Sequence, residues 1–218
     1  MYDRLKAACQ KDWDAYTQHD FVKGIARGDL PKECFQHYLK QDYLFLIHFA
    51  RAYALSIYKA DNIDDMRYGM EGVTAILDKE LELHIAYSNE WGINPKEMEN
   101  LEESKATMAY TRYVLERGMA GTITDLHVAL APCVVGYAEI ARWILAQDFT
   151  VLEGNPYRSW IDTYGGAEYQ NHAKAAIERL DAAAARGSAS DFERYAKTFR
   201  EATRLEIGFW QMGLDLSE

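Results

Sequence analysis

The 218-residue chain has little cysteine, little proline and no cluster of positive charge. Its three cysteines, Cys9, Cys34 and Cys133, are odd in number and widely spaced, which is typical of reduced thiols rather than of a disulfide framework or a zinc site. The formal net charge is −10, and no Lys/Arg-rich run offers a local exception. Because such a surface repels phosphate backbones, we expect no nucleic-acid partner.

Segments that would direct the chain to a membrane or across it are also missing. The first residues, MYDRLKAACQKDW, are polar and contain neither an apolar core nor a cleavage site for secretion. The longest apolar stretch, residues 128–146, is interrupted by Pro132, Glu139 and Arg142, which makes it a poor membrane span. The sequence therefore predicts a cytoplasmic protein with no membrane partner.

Runs of four or more residues that alternate clearly between apolar and polar, as half-buried strands do, are absent as well. Apolar residues instead recur at steps of three and four, so the predicted fold class is all-α. No internal repeat, low-complexity tract or linker divides the chain, and we expect a single domain, residues 1–218, built as a helical bundle. The 15 tyrosines and 5 tryptophans suit a site for a planar ligand, an oligomer interface or a well-packed core.

Helix boundaries are predicted from capping residues, prolines and glycines. Thr122 and Asp125, for example, have the spacing of a capping box. The predicted helices cover residues 2–17, a short segment near Phe21, residues 31–59, residues 64–91, a region capped by Asn94 before Pro95 that continues through Tyr110 to Arg117, residues 122–147, a short segment around Trp160, an alanine-rich stretch ending at Gly187, and a last helix capped by Ser190 and Glu193 that ends near Gly213.

Two carboxylates interrupt apolar helix faces. Asp42 lies on the inward stripe of the helix predicted over residues 31–59, and Glu206 lies on that of the last helix. Phe45 and Phe209 follow them three residues on, so each helix offers one acid and one flat ring. A buried carboxylate must be hydrogen-bonded, paired or protonated, and a structural salt bridge to an arginine is the alternative to a functional role.

Cys133 lies on the inward stripe of the helix predicted over residues 122–147. A free cysteine in such a position is often only a small buried hydrophobe. Pro132, directly before it, cannot donate a hydrogen bond to the carbonyl four residues back, so the backbone around the thiol is loosened and can line a cavity. The alternative interpretation of Pro132 is a bend that lets the helix wrap its core.

Four segments of the chain resemble the signature segments of one family. They are QDYLFLIHFAR around Asp42, APCVVGYAEI around Cys133, WIDTYGG around Tyr164 and RLEIGFWQM around Glu206, and their order and spacing are similar to those of the TenA, or thiaminase II, family. The resemblance runs essentially from end to end. It implies a haem-oxygenase-like helical fold without haem, no other cofactor, no metal, and assembly as a homotetramer.

The same resemblance implies an activity and a role for each site residue. Family members hydrolyse 4-amino-5-aminomethyl-2-methylpyrimidine to the hydroxymethylpyrimidine and ammonia, or cleave thiamin, in thiamin salvage. Carried over by motif position, Cys133 would be the nucleophile that adds to the pyrimidine ring, and Glu206 would move protons. The substrate-binding residues would be Asp42 at the 4-amino edge, Tyr137 and Tyr164 as hydroxyl groups, and Phe45, Tyr110 and Phe209 as ring contacts.

Phe45 is a departure from the family pattern, because some members similar to this chain carry tyrosine there. The preference between thiamin and the aminomethylpyrimidine is therefore left open.

Two other functions stay open as well. Glu80 and His84 have an i, i+4 spacing that a di-iron oxidase of related fold could use, although no further ligand set is evident around them. A non-catalytic, pyrimidine-binding regulatory protein would keep the stacking rings but would not need Cys133.

Overall fold

The computed structural model describes residues 1–93, 98 and 100–218, with the backbone alone at residues 79, 83, 86, 87 and 90. These residues contain helices and no strand, which confirms the predicted all-α class. In chain order the helices are α1 (Tyr2–Ala8), α2 (Gln10–Thr17), α3 (Asp20–Arg27), α4 (Lys32–Lys59), α5 (Ile63–Ala75), α6 (Leu81–Glu90), α7 (Lys105–Ala120), α8 (Ile123–Leu145), α9 (Arg158–Gly165), α10 (Ala167–Ala185) and α11 (Phe192–Asp215).

The chain divides into two compact units. The first unit comprises Met1–Pro31 and His127–Gln211, and the second comprises Lys32–Leu126 and Met212–Glu218. Helices α8 and α11 contribute residues to both units, so two of the boundaries fall inside helices rather than in linkers. The division concerns compactness alone, and a single domain over residues 1–218 stays a prediction.

Two predicted helix starts are confirmed by the structure. Helix α4 begins directly after Pro31. The capping box before α8 forms as expected, because Asp125 Oδ2 accepts the Thr122 N–H at 2.8 Å and Thr122 Oγ1 accepts the Asp125 N–H at 3.4 Å. Between them these contacts satisfy N–H groups that have no partner within the first turn of a helix.

The prediction of a single N-terminal helix over residues 2–17 is wrong. Cys9, with φ −132° and ψ 31°, leaves the helical conformation and separates α1 from α2. Its N–H donates to the Lys6 carbonyl at 3.1 Å, three residues back, in place of a regular bond four residues back. The buried side chains on both sides of the break still recur at steps of three and four, so the apolar pattern carried no sign of it.

The prediction for residues 94–117 is also corrected. Asn94 and Pro95 lie outside the described residues, but residues 101–104 are not helical, and α7 begins after Ser104, whose Oγ accepts the Thr107 N–H at 3.2 Å. The predicted end at Arg117 is three residues early, because α7 continues to Ala120 and ends at its C-cap residue, Gly121. Gly118 serves close packing, since a Cβ there would lie 2.8 Å from the side chains of both Leu55 and Leu126.

The predicted cap of the last helix is two residues late. Ser188 Oγ accepts the Ser190 N–H at 3.3 Å, and Asp191 Oδ2 accepts the Ser188 N–H at 3.1 Å, which completes a capping box around the 3-10 turn Ala189–Asp191. Helix α11 follows directly. Ser188 with Asp191 and Ser190 with Glu193 have the same spacing, so the pattern alone could not choose between them.

The helix predicted over residues 64–91 is interrupted by a wider turn. Helix α5 begins after Asn62, whose Oδ1 accepts the Asp65 N–H at 2.9 Å, and the π-turn Ile76–Glu80 separates α5 from α6. Right-handed helical dihedral angles continue through Ile76 and Leu81, so the chain direction is kept. Turns of this kind occur often at functional positions, and this one precedes His84 by one turn.

Helix α5 packs on α4 through glycines. A Cβ at Gly69 would lie 2.6 Å from both Ser56 Oγ and Ile57 Cγ1, and a Cβ at Gly72 would lie 2.2 Å from Tyr53 Cδ1. Both distances are far below a van der Waals contact, so the two helices can approach this closely only because these positions lack a side chain. The inner face of α5 is therefore its small-residue face.

The first unit has an aromatic core built around α8 and α11. Gly136 in α8 admits the ring of Tyr16, since a Cβ there would lie 2.3 Å from Tyr16 Cε1. Tyr16 Oη donates to the Pro132 carbonyl at 3.3 Å, inside the helix, where proline was expected to loosen the backbone. Trp210 stacks on Phe21 with ring centroids 4.9 Å apart and planes 18° apart.

Helix α8 is the one described helix that is long and apolar enough to cross a membrane by length and composition. Of its most apolar 18-residue window, 72% is buried inside the protein. Burial of this extent is typical of the core helix of a folded protein.

Glu139 on α8 anchors the N-terminal helices. Its Oε1 accepts the Tyr2 hydroxyl at 2.9 Å, and its Oε2 accepts Lys6 Nζ at 2.6 Å and Trp13 Nε1 at 3.0 Å. One carboxylate therefore satisfies three donors from α1 and α2. Burial, together with the negative charge of Glu139, raises the pKa of the Tyr2 phenol and keeps it a donor.

Replacement of Glu139 by alanine is expected to lower the free energy of unfolding by about 2–3 kcal/mol, because it leaves three donors without their charged acceptor. Urea denaturation followed by circular dichroism measures this change. Glu153→Ala, at an exposed position in the loop after α8, is the control and should shift stability by less than about 0.5 kcal/mol. Equal effects of the two substitutions would contradict the anchoring role of Glu139.

Candidate functional site

Three of the predicted substrate-binding residues lie in the second unit, and all three are buried. Asp42 and Phe45 lie one turn apart on α4, and Tyr110 lies on α7. The rings of Phe45 and Tyr110 are in contact, with centroids 5.0 Å apart and planes tilted by 40°. The structure therefore places one acid and two flat rings in this unit.

Asp42 is paired with a histidine. His84 Nε2 lies 2.5 Å from Asp42 Oδ2, and His84 Nδ1 lies 2.9 Å from the carbonyl oxygen of Glu80. A carbonyl only accepts, so Nδ1 carries a proton and the short Nε2–Oδ2 contact holds a second one. The predicted alternative, a salt bridge to an arginine, does not occur for Asp42 among the described residues.

The other contacts of Asp42 leave one carboxylate oxygen available. Tyr38 Oη donates to the same oxygen as His84, Oδ2, at 3.4 Å. Asp42 Oδ1 accepts no hydrogen bond from the residues that the structure describes. The pair with His84 thus fixes the orientation of the carboxylate through one oxygen and leaves the second free to accept from a ligand.

The ionisation of His84 and Glu80 is set by burial and by the charges of the neighbouring acidic and basic side chains. Burial lowers the pKa of the His84 imidazole. The negative charges of Asp42 and Glu80, and the hydrogen bonds to Asp42 and the Glu80 carbonyl, raise it by more. The pKa of His84 therefore lies above its ordinary value. Burial raises the pKa of Glu80 to about 7, with the nearby Asp42 charge adding to it and His84 opposing it. Glu80 is therefore close to its titration midpoint at neutral pH, and the pKa of His84 is held above its ordinary value by its acidic neighbours.

Glu80→Gln is expected to stabilise the protein at alkaline pH. The pKa of Glu80 is raised from 4.5 to about 7 by folding, so its contribution to stability is present below pH 4.5 and is lost as the pH rises through 7. The variant lacks this loss, and its melting temperature should exceed that of the parent by at least about 2 °C at pH 8. Thermal melts at pH 4.5 and pH 8 measure the difference. A gain of equal size at both pH values would contradict the assignment.

Gln41 fixes the start of the helix that carries Tyr110. Its Oε1 accepts the Ser104 N–H at 2.9 Å and the Thr107 hydroxyl at 2.7 Å, and its Nε2 donates to the Glu102 carbonyl at 3.1 Å. A single buried amide beside Asp42 therefore links α4 to the first turn of α7. This link holds the ring of Tyr110 in register with that of Phe45.

The remaining predicted residues lie in the first unit. Cys133 on α8 is the only one of the three cysteines that is partly exposed. Burial raises the pKa of Cys9 to about 11, and burial also raises the pKa of Cys34, so both of these thiols stay protonated and shielded. Accessibility therefore distinguishes Cys133 from the other two thiols.

Tyr137 follows Cys133 by one turn and contacts Tyr164 on α9, with centroids 4.9 Å apart. Gln170 holds Tyr164 in place, because its Nε2 donates both to the Tyr164 carbonyl at 2.7 Å and to the Ala138 carbonyl at 3.0 Å. The structure thus brings the two predicted tyrosines together on α8 and α9.

Glu206 and Phe209, both fully buried, lie on α11. Phe209 comes directly before Trp210 and Glu206 lies one turn before it, and the ring of Trp210 lies 5.4 Å from that of Tyr137. The two residues are therefore placed on the helix that packs its aromatic side chains against the Tyr137 region within this unit.

The sequence analysis considered His84 only as a possible metal ligand and missed its contact with Asp42. The i, i+4 pair of Glu80 and His84 was visible in the sequence, but only the fold shows that its partner is Asp42. No group of three or more His, Cys, Asp or Glu side chains placed to hold a metal ion occurs among the described residues. We therefore treat the pair as part of the Asp42 environment.

Known proteins similar to this chain identify its family. The model of the TENA/THI-4/PQQC family matches residues 6–216. An uncharacterized protein of Haemophilus influenzae is 45% identical over 217 residues, which cover 100% of both chains. The aminopyrimidine aminohydrolase of Halalkalibacterium halodurans is 35% identical over 209 residues, which cover 95% of this chain and 92% of that enzyme.

Solved structures give the same result. A protein of Silicibacter sp., described as a TenA family transcription regulator, has a TM-score of 0.91 and 43% identity, with coverage of 98% of this chain and 96% of that one. A domain of unknown function from Shewanella denitrificans, with a heme oxygenase-like fold, has a TM-score of 0.78 at 12% identity and covers 99% of this chain and 93% of that one. The predicted haem-oxygenase-like fold and the predicted family are confirmed: the chain belongs to the TENA/THI-4/PQQC family.

Proposed function

We propose that this protein is a hydrolase of thiamin salvage that converts 4-amino-5-aminomethyl-2-methylpyrimidine to the hydroxymethylpyrimidine and ammonia. The observation that carries the proposal is the match to the Halalkalibacterium halodurans aminopyrimidine aminohydrolase over 95% of this chain. Cleavage of thiamin at the same pyrimidine methylene is the second reaction to test. The substrate is in either case a small planar molecule, which fits a protein with buried flat rings beside a fixed carboxylate.

Cys133 is the proposed nucleophile. Its thiolate adds to the ring carbon beside the substituted one, and the electrons released into the ring expel the amine from the exocyclic methylene. Water then adds to this methylene, and departure of the thiolate restores the aromatic ring. Formation of a covalent intermediate divides one difficult displacement into easier steps. Partial exposure of the thiol supports this role, because a ligand can reach it.

Glu206 is the proposed proton carrier. Protonation of the leaving amine makes it a neutral product, and removal of a proton from the incoming water makes it a better nucleophile, so one carboxyl group can serve both steps. A carboxylate raises the pKa of a nearby thiol, and transfer of the Cys133 proton during attack is therefore the proposed path rather than a resting thiolate. Tyr137 and Tyr164 are proposed to donate hydroxyl groups to the ring or to the sulfur.

Asp42 is proposed to hold the 4-amino edge of the pyrimidine. The free oxygen of its carboxylate, Oδ1, can accept an N–H of the amino group, while the contact of Oδ2 with His84 prevents rotation. Phe45, Tyr110 and Phe209 are proposed to contact the planar ring. Because Phe45 has no hydroxyl, it can offer stacking but no hydrogen bond at that position.

The experiment is an assay of ammonia release from the aminomethylpyrimidine, run beside an assay of thiazole release from thiamin. We expect turnover with the aminomethylpyrimidine. Binding of the hydroxymethylpyrimidine without turnover of either substrate would reject the hydrolase and favour a binding protein.

A regulatory role is the second candidate, since the similar Silicibacter protein is described as a TenA family transcription regulator. The net charge of −10 disfavours direct contact with an operator. A pyrimidine sensor would bind its ligand without consuming it and would not lose this property when Cys133 is replaced. The ammonia assay described above therefore separates the two functions.

Assembly as a homotetramer in the cytoplasm is part of the proposal. A reducing compartment suits a mechanism that needs Cys133 as a thiol. Light scattering of the purified protein at micromolar concentration should give a mass about four times the 25.0 kDa of one chain. A mass near 25.0 kDa would reject the assembly.

A further inference from the structure

Helix α5 presents its large apolar side chains to solvent. Ile63, Met66 and Met70 on α5 are 60%, 38% and 55% exposed, and the glycines of the same helix are buried against α4. Leu77, in the π-turn that follows α5, is 49% exposed. A surface helix ordinarily buries its apolar face and exposes its polar face. The reversed arrangement leaves an apolar stripe in water, which is typical of an interaction surface.

The spacing of this stripe is regular. At about 100° per residue, the three positions on α5 fall within an arc of about 60° along one side of the helix. Ile63 and Leu77 lie seven residues to either side of Met70 in the sequence, with Leu77 at the start of the π-turn. The apolar residues are therefore symmetric about Met70 in sequence.

This symmetry makes the face complementary to a copy of itself. If two α5 helices pack antiparallel about a two-fold axis at Met70, the two Met70 side chains meet on the axis, and Ile63 of each copy faces the start of the other copy's π-turn, which carries Leu77. On one flank, Met66 comes within about one residue rise of Val73 of the second copy. Apolar side chains thus meet apolar side chains on the axis and on this flank, as an isologous contact requires.

On the side of the helix opposite Met66 and Val73, the charges are complementary in the same antiparallel pair. Arg67 and Glu71 are both exposed and lie on one side of Met70. In the antiparallel pair, Arg67 of one copy and Glu71 of the other are offset by about 3 Å along the axis, within reach of an ion pair, and the two-fold axis makes this contact twice. Among the described residues of its own chain, Arg67 makes one ion pair, a long contact of 3.5 Å with the exposed Asp64.

We propose that the exposed face of α5 is an isologous interface, in which the α5 helix of a second copy of this chain packs antiparallel about a two-fold axis at Met70. The proposal rests on the proposed self-assembly and specifies the contact that forms it. A different protein would have to supply the same symmetric pattern of apolar and charged residues, whereas a second copy supplies it without further assumption.

The experiment compares the solution mass of full-length variants by size-exclusion chromatography with light scattering. Met70→Glu places two carboxylates against each other on the axis, and we expect it to halve the mass of the assembly. Met119→Glu is the matched control, because Met119 is a 67% exposed methionine on α7, and it should leave the mass unchanged. Circular dichroism of each variant confirms that the helices are retained.

A charge reversal tests the orientation of the two helices. Arg67→Glu and Glu71→Arg should each weaken association by about tenfold, and the double variant should restore it to within about twofold of the parent, since the ion pair is rebuilt with opposite signs. Retention of the parent mass by Met70→Glu, or failure of the double variant to recover, would overturn the interface. A parent protein that is monomeric but still releases ammonia would reject the assembly and the interface while leaving the hydrolase intact.

Discussion

Cys133→Ser is expected to lower the rate of ammonia release by on the order of a thousandfold or more while leaving folding and pyrimidine binding in place. Serine keeps the shape of the side chain, but its hydroxyl is a far weaker nucleophile than a thiolate. Because Cys133 is partly exposed, the loss of sulfur removes little packing. Steady-state kinetics with the aminomethylpyrimidine, and calorimetry with the hydroxymethylpyrimidine, measure the two effects separately.

The controls are Cys9→Ser and Cys34→Ser. Both thiols are buried and have raised pKa values, so these substitutions should change stability more than turnover. Hydrolysis by Cys133→Ser at the rate of the parent would exclude the covalent mechanism.

Asp42→Asn is expected to weaken binding of the hydroxymethylpyrimidine by roughly 30- to 100-fold, with a smaller effect on stability. Asparagine preserves the size of the side chain and can still accept a hydrogen bond from His84, but it replaces a charged acceptor with a neutral one. The ligand loses a charge-assisted hydrogen bond to its amino group, which costs on the order of 2–3 kcal/mol. Isothermal titration and thermal melts compare the two effects.

Asp65→Asn provides the matched control, because Asp65 is also a buried acid of the second unit, placed in the first turn of α5. Its replacement should affect stability and leave pyrimidine affinity within about twofold of the parent. Parental affinity in Asp42→Asn would show that the carboxylate is structural.

Much of the fold could be predicted because its signals are local. Pro31 and the Thr122–Asp125 box mark helix starts through contacts within a few residues of each other, and the structure contains both. Cys9 and the π-turn Ile76–Glu80 could not be predicted in this way, since the apolar steps continue across both features. The boundaries of the two units were equally hidden, because two of them lie within α8 and α11, where no linker composition marks them.

The candidate site could likewise be predicted only in part from the sequence. The periodicity of α4 indicates that Asp42 interrupts an apolar face, but its partner His84 is 42 residues away in sequence, and only tertiary packing brings them together. The Glu80–His84 spacing suggested a metal ligand pair, whereas the structure uses His84 to hold a carboxylate. Residue type and spacing identify groups that can do chemistry, and the fold decides which of them meet.

The first unit is built from two segments that are far apart in the sequence, so the ribosome makes its N-terminal segment long before the other one. This unit joins residues 1–31 to residues 127–211, so Tyr2 and Trp13 cannot reach Glu139, nor Phe21 reach Trp210, until those distant residues have left the ribosome. At about 5–20 residues per second, the aromatic side chains of the N-terminal helices wait roughly 6–40 s for their partners. During that time they are exposed apolar surface on a nascent chain, and we expect a chaperone to bind this segment until its partners emerge.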